Sequence, residues 1–320
     1  MGKRIPAGSL KRDDMVDDVY AVRKRQSVVP YAKGFRFELE IGDYSGSIML
    51  KFWGGGDETR VRNLHTALPE GTVVRVRGRV GEYAGRPDLG VDDENAIQPV
   101  DPRSYDADTF VPRSKRDIEQ MWLELRNTID SIRDPTCALV LRETFKDTGF
   151  VERYKHAVAA KAFHHAWIGG LIEHTLVIVA QCEQSCKKYP FVSRDLLLTG
   201  AILHDIGKLE EYQTTTAIQV TPIITLVGHL TLEAGRILSF RGKAGIDENM
   251  LLKLAHIVIS HHGRYEFGSP KLPAIPEAVI LAGIDEIDAR VERMRQVREE
   301  AEEGRFEFFD KKDERSIYLK

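Results

Sequence analysis

At 320 residues, 42% of them hydrophobic, the chain is long enough for two domains with cores of their own. A net charge of −3 excludes attraction of nucleic acid by overall charge, so any such contact needs a local patch. No segment approaches the roughly 18 apolar residues of a membrane span, which excludes a membrane partner. The start MGKRIPAGSLKRDD lacks the apolar stretch of a signal peptide, and Pro6 stands where a myristoylation signal wants Ser or Thr. Cys137, Cys182 and Cys186 make an odd set, which points to reduced thiols and a cytoplasmic location.

The first elements alternate with a period of two. Phe35, Phe37, Leu39 and Ile41 alternate with Arg36, Glu38 and Glu40, and beyond the turn GDYSGS the residues Ile48, Leu50 and Phe52 alternate with Met49, Lys51 and Trp53. This predicts a hairpin. A later strand sets Val74, Val76 and Val80 against Arg75, Arg77 and Arg79, and a short helix is expected near Val61 to Leu68. Several short strands with one helix among them match a small OB-type barrel over residues 10–100. Arg75, Arg77 and Arg79 form a basic row on its solvent side, where Lys51 and Trp53 are also expected. Such a face can track a phosphate backbone and stack a base.

Residues 101–114 are rich in proline and lack periodicity, which predicts a connector. From Lys115 the period changes to that of a helix: Met121, Leu123, Leu125, Ile129 and Ile132 recur at helical spacing, and apolar helical stretches follow through Leu171 to Ala180, Leu196 to Leu203 and Leu251 to Ile259. An all-helical second domain over 115–310 is expected, followed by a charged tail at 311–320. The fold class is thus α+β multidomain.

The helical half carries seven metal-ligand side chains in a fixed order: His174, the pair His204 and Asp205, His229, the pair His261 and His262, and Asp285. His174, His204 and the His261-His262 pair fall in or at the end of apolar helical segments, where a half-satisfied imidazole costs free energy unless it has a partner. A shared metal is such a partner. Imidazoles hold a divalent ion without cancelling its charge, and one carboxylate, Asp205, can bridge two ions roughly 3.5 to 4 Å apart. The mixed nitrogen and oxygen set favours manganese or iron, with cobalt or nickel as alternatives, over magnesium or calcium. The pattern therefore predicts a phosphohydrolase with two divalent transition-metal ions.

Taken with their surroundings, these histidines resemble the HD phosphohydrolase superfamily. FHHAWIGGLIEHT, DLLLTGAILHDIGK, GHL, ISHHGRYEFGSP and IDEIDA are similar to segments of the YhaM-type 3′ to 5′ exoribonucleases and of the archaeal helicase-associated nucleases, in which an OB domain precedes an HD domain. The resemblance implies that His174, His204, Asp205 and Asp285 hold a first metal and that His229, His261 and His262 hold a second, with Asp205 bridging. HD-GYP cyclic-dinucleotide phosphodiesterases share this spacing, but GRYEFGSP stands where their GYP-containing loop is expected.

Around this set, Lys208 lies one helical turn beyond the dyad and is expected to offset charge on the phosphate in the transition state. Arg264 follows the histidine pair in a loop, where its planar fork can grip a phosphate. His164 and His165 are expected to touch the substrate or to support the ligands.

The resulting expectation is a metal-dependent 3′ to 5′ exonuclease that feeds single-stranded nucleic acid into the helical domain and releases nucleoside monophosphates. RNA and DNA both stay open, since the two resembling groups differ on this point. The resemblance also implies a helicase partner and a homo-oligomer. Two other readings stand beside it: a nucleotide or signalling-nucleotide phosphohydrolase, and a non-catalytic single-strand-binding protein.

Overall fold

A computed structural model of the chain describes residues 5–83, 85–161, 165–301, 304–310 and 314–319. The chain divides into two compact units: one runs to Arg113 and takes in Gln213–Gln219, and the other comprises Ser114–Tyr212 and the residues from Val220 onward.

In the first unit the strands are β1 (Met15–Arg25), β2 (Val29–Tyr31), β3 (Gly34–Asp43), β4 (Gly46–Trp53), β5 (Val73–Tyr83), β6 (Arg86–Val91) and β7 (Ile97–Pro99), with helix α1 (Glu58–Thr66) between β4 and β5. The expected hairpin is β3–β4, in register at Leu39 and Leu50. β4 pairs parallel with β6, β6 antiparallel with β5, and β5 antiparallel with β1. β1 also pairs with β3, so the ring of β1, β3, β4, β6 and β5 closes into a five-stranded barrel.

An irregularity between Val22 and Lys24 bends β1, letting its first part serve β5 and its last part β3. The inward residues Tyr20, Phe37, Leu39, Ile41, Leu50, Val74, Val76, Val80 and Leu89 are all buried, and Phe37 stacks on Phe52 at 5.0 Å across the hairpin. Each such side chain contributes about 1.5–3 kcal/mol when fully withdrawn from water. Asp57 caps α1 by accepting from the Arg60 N–H, and Val61 and Leu64 pack against the barrel core.

The expected connector is not a free linker. Phe110 and Val111 are buried, and Phe110 packs with Ala21 and Val73. The prolines and polar residues around them hid this anchor, because two apolar residues are too few to show a period.

The second unit contains α2 (Ile118–Asp130), α3 (Pro135–Thr144), α4 (Thr148–His156), α5 (Gly170–Lys188), α6 (Arg194–Leu203), α7 (Lys208–Glu211), α8 (Pro222–Leu226), α9 (His229–Leu238), α10 (Glu248–Ser260) and α11 (Pro276–Glu300). Asp117, Asp134, Asp147 and Asp247 begin α2, α3, α4 and α10, each accepting a backbone N–H of the first turn. A carboxylate at that place also meets the positive end of the helix dipole. α6 is buried from Leu196 to Leu203 and is surrounded by α5, α10 and α11. It is the central rod.

Two small hairpins complete the chain, the first of them lying mostly in the segment Gln213–Gln219 that belongs to the barrel unit. β8 (Tyr212–Thr214) pairs with β9 (Ile218–Val220), and β10 (Glu307–Asp310) pairs with β11 (Arg315–Tyr318). The latter occupies part of the expected tail: Asp310 is buried against Arg293 of α11, and Ile317 is buried too. No helix among the described residues is long and apolar enough to cross a membrane.

Candidate metal centre and strand-binding face

The buried ends of the helices bring the seven ligand-type residues together. His174 lies in the second turn of α5, His204 caps the end of α6 with Asp205 just beyond it, and His229 opens α9. His261 caps α10 and is followed by His262, while Asp285 projects from α11. One group of facing ligand atoms comes from His174, His204 and Asp205, a second from His204, His261 and Asp285, and a third from His229, His261 and His262, each within 4.8 Å of one another. Asp205 lies between them, 3.5 Å from His174 Nε2, 3.5 Å from His229 Nε2 and 3.7 Å from His261 Nε2.

Glycines allow this closeness at two places. A Cβ on Gly207 would lie 2.6 Å from the His229 carbonyl oxygen, and one on Gly170 would lie 2.0 Å from that of His165. Only a hydrogen fits at either.

Five imidazoles are oriented from behind through Nδ1. In His204, His261 and His262 that nitrogen donates to the carbonyls of Ala201, Val258 and Phe267 at 2.8, 2.7 and 2.9 Å. A carbonyl only accepts, so Nδ1 carries the proton and Nε2 presents a lone pair. In His174 and His229 the partner is a carboxylate, Asp288 at 2.9 Å and Glu211 at 3.0 Å. This is the arrangement metal-binding histidines adopt.

The cluster passes a test of fit for a divalent cation. His229 Nε2, His261 Nε2 and Asp205 Oδ1 are buried without a hydrogen-bond partner among the described residues, and they face one another. Lone pairs and a carboxylate oxygen turned together repel unless a cation lies among them. Burial, followed by the neighbouring His262 and His204, holds His261 well below the usual histidine range, which keeps it a neutral donor. Burial opposes ionisation of Asp205, but Lys208 and His204 outweigh it and keep the carboxylate charged. For His174 burial opposes charge as well, yet hydrogen bonds to Asp285 and Asp288 raise its pKa to about 9, so a cation held there has to displace the Nε2 proton.

The other expected site residues are distributed differently. Lys208 Nζ is 2.7 Å from Asp205 Oδ2 and is almost enclosed, so its direct partner here is the carboxylate. Arg264 is exposed in the loop after His262, over the Phe267 ring and 3.9 Å from Glu286. His165 is buried, with Nε2 3.5 Å from Asp288, which itself backs His174. Its left-handed backbone, φ 59°, turns it inward between Trp167 and His174. His164 lies outside the described residues.

Sequence reasoning missed Asp288 and Glu211. Asp288 had a usable signal, since it follows Asp285 by one helical turn in IDEIDA; nothing in KLEE separates Glu211 from Glu210.

On the barrel, the expected basic face needs correction. Lys51 is only 8% exposed: Asp88 takes its ammonium at 2.8 Å and the Tyr83 ring covers it at 3.7 Å. The alternation along β4 pointed it outward, but residues of β5 and β6 close over it. Arg75 and Arg79 are exposed yet paired with Asp17 and Asp13 at 2.7 and 3.0 Å, and Arg77 donates to the Asn95 carbonyl. The row is largely neutralised by β1 and the turn before it. Trp53 is different, being 37% exposed with its ring edge-on to Tyr31 at 5.2 Å and Arg36 alongside at 5.3 Å. It borders a groove of about 680 Å³ that Tyr31, Lys33, Gly54, Gly55 and Asp92 also line.

Comparison with known proteins follows the same outline. The HD domain family matches residues 171–290. The 3′-5′ exoribonuclease YhaM of Bacillus licheniformis is 30% identical over 94% of this chain and 94% of its own length. Those of Halalkalibacterium halodurans and Bacillus pumilus are each 30% identical, over 88% and 84% of this chain and 85% and 82% of their own lengths. The chain belongs to the YhaM family of 3′-5′ exoribonucleases. It is a hydrolytic nuclease of the 3′-5′ exonuclease class whose HD domain binds divalent metal.

Proposed function

We propose that the chain shortens single-stranded RNA from its 3′ end, releasing nucleoside monophosphates, with two ions of manganese or iron in the buried cluster. The observation that carries this reading is the convergence of His229 Nε2, His261 Nε2 and Asp205 Oδ1 without partners, beside His174, His204 and Asp285. The exoribonuclease names of relatives aligned along most of the chain support RNA as the substrate.

His174, His204, Asp205 and Asp285 would hold one ion, and His229, His261 and His262 the other, with Asp205 common to both. When bound, such ions supply Lewis-acid charge to the phosphodiester and acidify water for in-line attack. The protein's own residues fix the geometry. Asp288 and Glu211 aim His174 and His229 through Nδ1, and Lys208 holds the Asp205 carboxylate while adding positive charge beside it. Arg264, exposed at the end of the histidine loop, is assigned to the phosphate of the entering strand, and His165 to support of Asp288. On the barrel, Trp53 and Tyr31 stack bases in the groove, and Arg75, Arg77 and Arg79 contribute only as far as a phosphate displaces their present partners.

Digestion of matched RNA and DNA single strands, labelled at the 5′ end, with manganese present, tests the reading. Stepwise shortening of the RNA with the 5′ label retained is expected, with DNA degraded more slowly. Early release of the 5′ label, or cutting of a circular strand, would overturn the polarity; equal rates on DNA would overturn the choice of RNA.

A further inference from the structure

The groove beside Trp53 has charged side chains in its lining as well as an aromatic wall. Its volume of about 680 Å³ falls among the roughly 300–1,000 Å³ of small-ligand sites. Tyr31 is fixed in the wall, its hydroxyl donating to the Gly54 carbonyl at 2.9 Å. Bare backbone lines the groove too: no atom lies within 4 Å of where a Cβ on Gly55 would stand, and one on Gly90 would lie 3.7 Å from the Trp53 indole nitrogen. A flat ring can therefore lie against Trp53 with its edge close to the main chain.

The strand register says what that edge meets. β4 and β6 run parallel, with Lys51 beside Gly90 and Phe52 beside Val91, so one further step sets Asp92 beside Trp53. Residues level with one another on paired strands share a face, and the strands lie about 4.8 Å apart, less than the breadth of a purine. A purine stacked on the indole thus reaches the Asp92 carboxylate.

That carboxylate is uncommitted. Among the described residues the Asp92 side chain has no hydrogen-bond or ion-pair partner, whereas the adjacent Asp93 accepts from the Asn95 backbone N–H and side-chain amide at 2.9 and 3.0 Å. Lys33, exposed in the same lining, has no partner among them either. An anion and a cation stand open in one aromatic groove without pairing with each other.

A carboxylate has two oxygens that accept and nothing to donate, so it matches a ligand edge bearing two adjacent N–H donors. Guanine has such an edge at N1 and its 2-amino group. Adenine, cytosine and uracil each set a donor beside an acceptor, which a carboxylate repels.

We propose that the barrel groove is a guanine-selective subsite for the strand. The base stacks on Trp53, the Asp92 carboxylate accepts from N1–H and the 2-amino group, and Lys33 offsets the phosphate of the same nucleotide. This inference rests on the reading that the groove holds single-stranded RNA.

Fluorescence anisotropy on the full chain tests it, with short oligouridine strands whose 3′ linkages are phosphorothioate to block digestion. One internal guanosine should tighten binding about tenfold over one internal adenosine, as a bidentate base contact does. Inosine, which lacks the 2-amino group, should fall between them. Asp92→Asn should bring the guanosine and adenosine strands to within about twofold of each other. Guanosine bound no tighter than adenosine by the parent, or a guanosine preference that survives Asp92→Asn, would overturn the proposal. Trp53→Ala separates the two levels: if it weakens every strand while guanosine is not preferred, the groove still holds RNA and only its selectivity falls, whereas unchanged binding overturns both.

Discussion

Asp288 shows how much of a metal site lies outside its ligands. Its carboxylate takes the Nδ1 proton of His174 at 2.9 Å, which fixes the ring's rotation and makes Nε2 a better donor. Asp288→Asn should therefore weaken metal binding about 10–100-fold while leaving the fold intact. Chelator competition reads this directly, and an unchanged affinity would remove Asp288 from the orienting role. Glu233 of α9 is a buried acid outside the cluster, with Arg236 at 3.2 Å. Burial is the main cause that lifts its pKa from the ordinary 4.5 to about 7, with Arg236 acting against it. The folded state thus binds this proton more tightly than the unfolded chain, so stability falls as pH rises from about 4.5 to about 7. The full cost above that range is about 3 kcal/mol. Glu233→Gln should raise the melting temperature at pH 8 and leave it nearly unchanged at pH 4.5, as parallel thermal scans would show.

Among the elements, the turn after α6 leaves no room for a side chain at Gly207. A Cβ on Gly207 would lie 2.6 and 2.8 Å from backbone atoms of His229, and backbone cannot swing aside as a side chain can. Gly207→Ala should cost about 1–3 kcal/mol of stability. It should also displace His229 enough to lower kcat more than tenfold, checked by melting and steady-state kinetics together.

The same elements show what the chain's pattern made legible. Period-two alternation located the β3–β4 hairpin, the helical period located α5, α6 and α10, and the order of histidines named the residues that now face one another. What stayed hidden depends on neighbours distant in sequence. Lys51 is capped by Tyr83 and Asp88, Arg75 is paired with Asp17, and Phe110 is anchored on Ala21 and Val73. Alternation along one strand gives a side chain's direction, but not what another strand lays over it.

At the scale of the whole molecule, binding and cutting are expected to separate. On the proposed function, the chemistry would belong to the helical unit, where the ligand atoms gather, and base stacking to the Tyr31–Trp53 pair of the barrel. Replacing both by Ala should raise KM for long single strands about tenfold or more, since stacking contributes about 1–3 kcal/mol per base. Turnover of a small chromogenic phosphodiester should not change. An equal loss on both substrates would instead mean that the aromatic pair serves folding.

β1 also sets the tempo of assembly. Its first part pairs Met15 with Arg79 and Ala21 with Val73, so the seam that closes the barrel joins segments separated by about half of that unit's sequence. The β3–β4 hairpin, by contrast, pairs Asp43 with Gly46 across a tight turn. Closing a long loop loses chain entropy before any contact repays it, so local pairs form early and the seam late. The last step to form is also the one whose loss reopens the barrel, and interactions made after the folding transition state govern how long a native molecule survives. The lifetime of the barrel thus resides in the β1–β5 seam, while the rate at which it first appears is set by the hairpin on its opposite side.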